Sequence, residues 1–527
     1  MHKSQRDKVK SETFYHVLQK SNNENETEPQ QTDVVDAPLN YQGFKKIYML
    51  GEKNSGTPAR RIRQDYSKLR ESCVRKKSLF VDGIFSPKFD DKIVVKRPSE
   101  ISDHPQFITD GATRFDINQG TLADCWFLAA VANLTLNHKL LAVVVPTDQS
   151  FSNNYAGIFH FRFWQYGRWI DVVIDDTLPT DGNKLVYLRS TDPNEYWPSL
   201  LEKAYAKLYG SYKNLEGGLI NEALEDLCGG LSEFYSAKRL ELYEIMEMSY
   251  KRSSFMGCSI TASEKEGQQR GDGLITMHAY SVTDMETIKL GQSEIRLIRL
   301  RNPWGGNAEW NGAWSDNSEN WDLVPKEVSK RLRVKRYDGE FWMAIEDFQR
   351  CFTSVEICHL NPSTFIYGED SRWYVNMFEN RWIPNVTAGG GLAYKETFAN
   401  NPQYFLTVRG NNSTCTVVIG LMQENRRLFN KDNVQLELTI FKIKADHGHH
   451  LGKDLFKSNS LVLNHKETVV VRQLTVRISL PSGKYCIVPS TASPNEEAYY
   501  LLRIYSEMNI NVKEPIPARK KKIWSCH

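Results

Sequence analysis

The chain has 527 residues, 67 Lys and Arg against 64 Asp and Glu, a formal charge of +3, and 40% hydrophobic residues. That is globular composition, long enough for about three or four domains, and its charge balance argues against a general nucleic-acid binder. No apolar run reaches the ~18 residues of a membrane span, and the polar start Met-His-Lys-Ser-Gln-Arg lacks the apolar core of a secretory signal. Nine cysteines without paired spacing point to a reducing, cytoplasmic setting rather than a disulfide scaffold.

Taken in chain order, residues 1–63 read as a polar, flexible extension. Cys125 to Leu134 is almost wholly apolar and predicts a buried helix. Gly157 to Asp176 alternates around a polar break at Gln165-Tyr166-Gly167-Arg168 and predicts a β-hairpin. Ser199 to Tyr209 carries apolar residues at helical spacing, with Pro198 and Gly210 as punctuation. Beyond Asn361 the character changes. Tyr404–Val408, Val434–Ile443, Thr468–Leu480, Tyr485–Val488 and Tyr499–Tyr505 are strand-like, and Val434, Leu436, Leu438 and Ile440 alternate with polar residues as one buried sheet face does. A mixed α/β part therefore precedes an antiparallel β-sandwich. His447, His449 and His450 cluster in a turn. With no fourth ligand at recognisable spacing, a polar loop is the better reading than a metal site.

Chemistry concentrates around Cys125. It sits where the polar loop from Asn118 to Asp124 meets the apolar helix, and a helix amino terminus favours thiolate over thiol. Gln119 is placed to donate an amide hydrogen bond to a developing oxyanion, beside the Cys125 backbone N–H. Far downstream, His278 begins the strand-like string Met277-His278-Ala279-Tyr280-Ser281-Val282. Asn302 follows in Arg301-Asn302-Pro303-Trp304-Gly305, where its amide can fix the imidazole tautomer while Trp304 shields the bond. Cys, His and Asn in that order, with a Gln before the Cys, give each group a distinct role in thiol acyl transfer.

The string Gln119 to Trp126, with Asp124-Cys125-Trp126 at its end, resembles the active-site motif of calpains, the calcium-dependent papain-like cysteine proteases; Ala123 stands where the family usually has Gly. Lys96-Arg97-Pro98, Asn154-Tyr155-Ala156-Gly157, Leu200-Leu201-Glu202-Lys203-Ala204-Tyr205, Trp310-Asn311-Gly312-Ala313-Trp314 and Asp338-Gly339-Glu340-Phe341-Trp342 extend the likeness over roughly Gln64 to Glu507. The resemblance implies an α+β papain-like protease core of two subdomains, 64–229 and 230–362, hinged near Gly229-Gly230. A calpain-type β-sandwich over 363–510 and a basic tail over 511–527 would follow. It implies a calcium-dependent intracellular endopeptidase making limited cuts in protein substrates, with Cys125, His278, Asn302 and Gln119 catalytic, and Gly218, Met277 and Trp304 lining the substrate. Two calcium sites are implied: one from Thr109, Gly111, Asp116 and Glu195, the other from Glu309, Asp316, Arg336, Asp338 and Glu340. Arg114 and Glu340 match a pair that bridges the subdomains in the family.

Departures set further expectations. No EF-hand loop exists anywhere in the sequence, so no partnership with a calpain small subunit is expected, while a calpastatin-type inhibitor remains a partner to test. Phospholipid contact would fall to the sandwich or to Arg519-Lys520-Lys521-Lys522. The acidic loop usual in the sandwich is replaced by Arg409-Gly410-Asn411-Asn412-Ser413. Met277 stands where the family commonly has Gly, and one extra residue lies between Trp304 and Glu309. The rival reading is a catalytically weak or inactive relative acting as a protein- or phospholipid-binding module.

Overall fold

The computed structural model describes residues 46–58, 63–261, 267–306, 308–334, 336, 338–360, 373–410, 414–424, 426, 431–444, 449–466 and 470–514. The basic run 519–522, His447 and most of the amino-terminal extension lie outside them. The chain divides into two compact units between Ile366 and Tyr367. No helix among the described residues is long and apolar enough to cross a membrane.

In the first unit the expected helix forms over Cys125–Leu134, with every residue after Cys125 buried. An all-round apolar helix must lie inside. It packs on a six-stranded antiparallel sheet ordered Glu340–Ala344, Ser293–Arg301, His278–Leu290, Phe255–Ile260, Ser354–His359 and Leu231–Ser236. Its carboxyl-terminal end is tied to the sheet by Asn133, whose amide donates to the Met256 carbonyl (2.9 Å) and accepts the Met256 N–H (3.2 Å). Nearer the middle, Ser281 Oγ donates to the Ala129 carbonyl (2.9 Å). The hairpin pairs Ile158–Gln165 with Arg168–Asp175. Its two-residue turn puts Tyr166 at φ 45° and Gly167 at φ 82°, the left-handed pair such turns need. The second helix spans Trp197–Tyr209, with Pro in its first turn and Gly210 (φ 92°) at its end. It is buried along its whole length, so Lys203 and Lys207 are paired with Asp175 and Asp82.

The expected hinge is tightly built. Gly229 is left-handed (φ 67°), and a Cβ on Gly230 would lie 2.5 Å from the His359 carbonyl oxygen. The extension is shorter than expected. Ile47–Met49 pairs in parallel with Trp169–Asp171, so ordered structure begins well before residue 64.

The second unit is the expected sandwich. One sheet runs Tyr374–Trp382, Ala498–Ser506, Thr414–Gln423, Gln473–Pro481; the other runs Ser460–Lys466, Leu436–Ile443, Gly483–Thr491, Tyr404–Val408, Asn511–Lys513. Val417, Ile419, Leu421, Leu502 and Ile504 of the first meet Leu406, Leu438, Ile440 and Ile487 of the second in one core. Asn511–Lys513 is therefore a strand rather than the start of a tail. The expected one-faced burial of Val434–Ile443 is also corrected. Glu437 and Thr439 are buried, because Glu437 accepts the Leu392 N–H (2.9 Å) and Phe398, Phe441 and Val488 form an outer core on that side.

Candidate active site

Cys125 is the first residue of its helix and is partly exposed, whereas Trp126 beside it is anchored by its indole N–H to the Leu215 carbonyl (2.9 Å). The loop before it needs glycine: a Cβ on Gly120 would lie 2.3 Å from the carbonyl oxygens of Val186 and Tyr187. Gly218 is constrained in the same way, with Trp126 ring atoms 2.4 Å from its virtual Cβ. Gly218 thus closes on the tryptophan that follows the nucleophile.

His278 heads the strand on which the nucleophile helix packs. Its Nε2 lies 2.7 Å from Asn302 Oδ1, and the surroundings fix which atom is which. Asn302 Nδ2 donates to the Ala308 carbonyl (2.9 Å) and Oδ1 receives the Trp304 N–H (3.0 Å), so Oδ1 faces the imidazole. Nε2 then carries the hydrogen and Nδ1 keeps the lone pair, as a general base requires. The Trp304 ring lies beside His278, tilted at 59° with ring centres 5.0 Å apart. Burial pushes the imidazole down to about 4, against the pull of the Asn302 hydrogen bond. The ring of Tyr280 meets His278 edge-on, and burial above all pushes that phenol up.

Gln119 differs from expectation. The Gln119 amide nitrogen donates to the Leu122 carbonyl (2.7 Å) and lies 3.4 Å from Asp124 Oδ1, while Oε1 is buried without a partner. Both amide hydrogens thus point into the loop rather than toward an oxyanion, and serving one requires the amide to turn over. Met277 takes φ 51°, a left-handed conformation that is costly for a residue with a Cβ.

The two halves of this unit are joined around the site. Arg114 grips Glu340 through both carboxylate oxygens, at 2.7 and 2.9 Å. The buried Arg301 donates to the Ile117 carbonyl (2.8 Å), and Gln119 N–H donates to the Pro303 carbonyl (3.1 Å). Arg301 was not anticipated in this role; an arginine directly before Asn302 was the only signal.

The expected calcium ligands are partly gathered. Thr109 N–H donates to Glu195 (2.7 Å), and Asp116 receives both the N–H and the hydroxyl of Thr113. Burial pushes Glu195 up to about 7, and the charges of Asp116 and Asp192 add to it. Gly111 is left-handed at φ 90°, turning this loop, and Thr109 Oγ1 is buried without a partner beside Glu195. In the other set Glu309 accepts the Gly339 N–H (2.8 Å), Asp316 the Arg336 N–H (3.2 Å) and Asp338 the Glu340 N–H (3.0 Å). Glu309 is pushed up to about 7 by burial, with Asp316 and Asp338 adding to it. The expectation that Glu340 joins them is corrected: its oxygens face Arg114 and Arg299. Among the described residues, no three His, Cys, Asp or Glu side chains converge as a ready metal cluster, because backbone N–H groups and arginines already orient these carboxylates. Of the expected histidine turn, His450 hydrogen-bonds Gln403 and the Asn401 carbonyl, as a polar loop would.

Comparison with known proteins agrees with this geometry. A family model described as calpain family cysteine protease matches residues 72–359, and one described as calpain large subunit, domain III, matches 378–505. The chain is 44% identical over 507 residues to Calpain-A of Drosophila melanogaster, covering 89% of this chain and 61% of that protein. It is 44% identical over 464 residues to Calpain-9 of Homo sapiens (84% and 67%) and 41% identical over 484 to the Calpain-1 catalytic subunit of Rattus norvegicus (86% and 68%). The chain spans about three fifths of the length of the Drosophila relative. Its protease core and β-sandwich are those of a cysteine peptidase family, and the chain belongs to the calpains.

Proposed function

We propose that the protein is a calcium-dependent cysteine endopeptidase that makes limited cuts in protein substrates in the cytoplasm. One observation carries the reading: Asn302 fixes His278 with Nδ1 free to act as base, on the strand against which the Cys125 helix packs. Cys125 attacks the scissile carbonyl, His278 takes the thiol proton and returns it to the leaving amine, and Asn302 holds the imidazolium that forms. The Cys125 backbone N–H, with Gln119 after its amide turns, receives the oxyanion.

Hard cations take carboxylate and carbonyl oxygens, and two sets supply them here: Thr109, Gly111, Asp116 and Glu195, then Glu309, Asp316, Asp338 and the Arg336 carbonyl. The buried, unpartnered Thr109 hydroxyl supports an oxygen ligand set at the first. A bound divalent ion would offset the repulsion of the gathered carboxylates. The residues themselves hold the halves together through Arg114, Glu340 and Arg301.

The turned-in Gln119 amide and left-handed Met277 favour the rival, a weakly active or inactive binding module. A thiol-directed epoxide, applied with calcium and with chelator, separates the two. Calcium-dependent labelling of Cys125 that His278→Ala abolishes supports the protease; no labelling in either condition refutes it.

A further inference from the structure

Tyr280 takes no part in the chemistry above, yet it is built into the approach to His278. It stands two residues beyond His278 on the same strand, so both side chains leave one face of the sheet. Its ring meets the imidazole edge-on, with ring centres 5.2 Å apart and planes at 84°. Phe352 (5.3 Å, 79°) and Phe341 (6.2 Å, 77°) pack edge-on against the same ring, and the residue is 0% exposed. The phenol oxygen of this enclosed ring reaches back five residues and accepts the Ile275 N–H at 2.8 Å.

That hydrogen bond closes on the turn that delivers the imidazole. Upstream the chain is pinned as far as Thr276, whose N–H donates to the Gln268 carbonyl (3.0 Å) and whose carbonyl receives the Gly267 N–H (3.0 Å). Downstream, His278 lies opposite Ile260 in the sheet. Between these two fixed points the chain passes through Met277 at φ 51°. A left-handed turn at a residue with a Cβ costs free energy and persists only where its surroundings hold it. Ile275 is fully buried, so no water replaces the phenol if its N–H loses that acceptor.

We infer that Tyr280 is a positioning residue for the base: its hydroxyl holds the 275–277 turn and its ring walls His278, so that the imidazole meets Asn302 in one orientation. A fully buried side chain meets no substrate, so Tyr280 acts only through His278. Without the hydroxyl, the buried Ile275 N–H is stranded and the strained turn relaxes. His278 then keeps its Asn302 partner for only part of the time.

The inference rests on the reading of His278 as the base, and the test separates the two. Peptide hydrolysis in saturating calcium, and hydrogen–deuterium exchange followed by mass spectrometry over the His278 turn, are compared in wild type and Tyr280→Phe. Phenylalanine keeps the ring and removes only the acceptor. kcat should fall about tenfold with KM within about twofold of wild type, since a misplaced base slows the chemical step and leaves binding alone. Exchange of the Ile275, Met277 and His278 amides should quicken at least about tenfold, with circular dichroism unchanged. A hydroxyl with a purely structural role would lower the melting temperature and leave kcat in place. That outcome overturns the inference, as does unchanged exchange at Met277 and His278. Should Tyr280→Phe fail to fold, Phe352→Leu, which loosens the ring and keeps the hydroxyl, is read by the same two measurements with the same expected directions. If exchange quickens but wild type hydrolyses no peptide, the clamp on His278 stands and the protease reading falls.

Discussion

Replacing Arg114 with Ala perturbs the junction between the halves of the protease core without touching the catalytic groups. The pair it breaks is bidentate, at 2.7 and 2.9 Å, and its side chains are 19% and 10% exposed, so both charges are largely desolvated. Breaking such a pair commonly costs about 3–5 kcal/mol because the remaining charge is stranded. Here Arg299 stays 3.6 Å from Glu340, which lowers the expected cost to about 2 kcal/mol. Since about 1.4 kcal/mol is tenfold, the joined arrangement should lose roughly 30-fold in population against a separated one. Peptide hydrolysis at saturating calcium reads this as a fall of about ten- to thirtyfold in kcat/KM. Arg114→Ala/Glu340→Ala, which leaves no stranded carboxylate, should recover part of the loss in a double-mutant cycle. An Arg114→Ala enzyme with wild-type kcat/KM across the calcium titration would refute the argument that this pair holds the halves together.

Asn302→Ala should lower kcat by about 10²-fold with KM little changed, because His278 loses the group that fixes its tautomer while nucleophile and base remain. Met277→Gly removes a Cβ from a left-handed position and should raise stability by roughly 0.5–1 kcal/mol in urea melts while raising kcat/KM; a loss of both would show that the methionine is needed. Glu356 is buried with one oxygen unpartnered and is pushed up to about 8 by burial. A raised folded pKa means stability is fully present below the unfolded value of 4.5 and is lost as pH rises through about 8. Glu356→Gln should therefore flatten the decline in melting temperature between about pH 4.5 and 8 and add up to roughly 3 kcal/mol at neutral pH; unchanged pH dependence would count against it.

What the sequence made legible were the features that announce themselves locally. Cys125–Leu134 is apolar on all sides, the hairpin carries its turn at Tyr166-Gly167, and Cys125, His278 and Asn302 stand in motifs whose roles are chemical. What escaped were features that depend on distant neighbours. Ile47–Met49 is a strand only because Trp169–Asp171 receives it. Thr414–Gln423 lies between two strands, buried along most of its length, so it shows no alternation to read. Glu437 and Thr439 look solvent-facing by pattern but lie under the outer core. At the site, spacing suggested the Gln119 role but not the direction of its amide, which Leu122 and Asp124 set.

The central claim, a calcium-dependent thiol peptidase, is tested most directly by cleavage of an unfolded protein substrate by the purified chain. Wild type and Cys125→Ala are compared in saturating calcium and in excess chelator, with fragments resolved by mass spectrometry. Limited fragments from wild type in calcium alone, and none from Cys125→Ala, are predicted. Equal cleavage in chelator, cleavage by Cys125→Ala, or no cleavage under either condition would contradict the account.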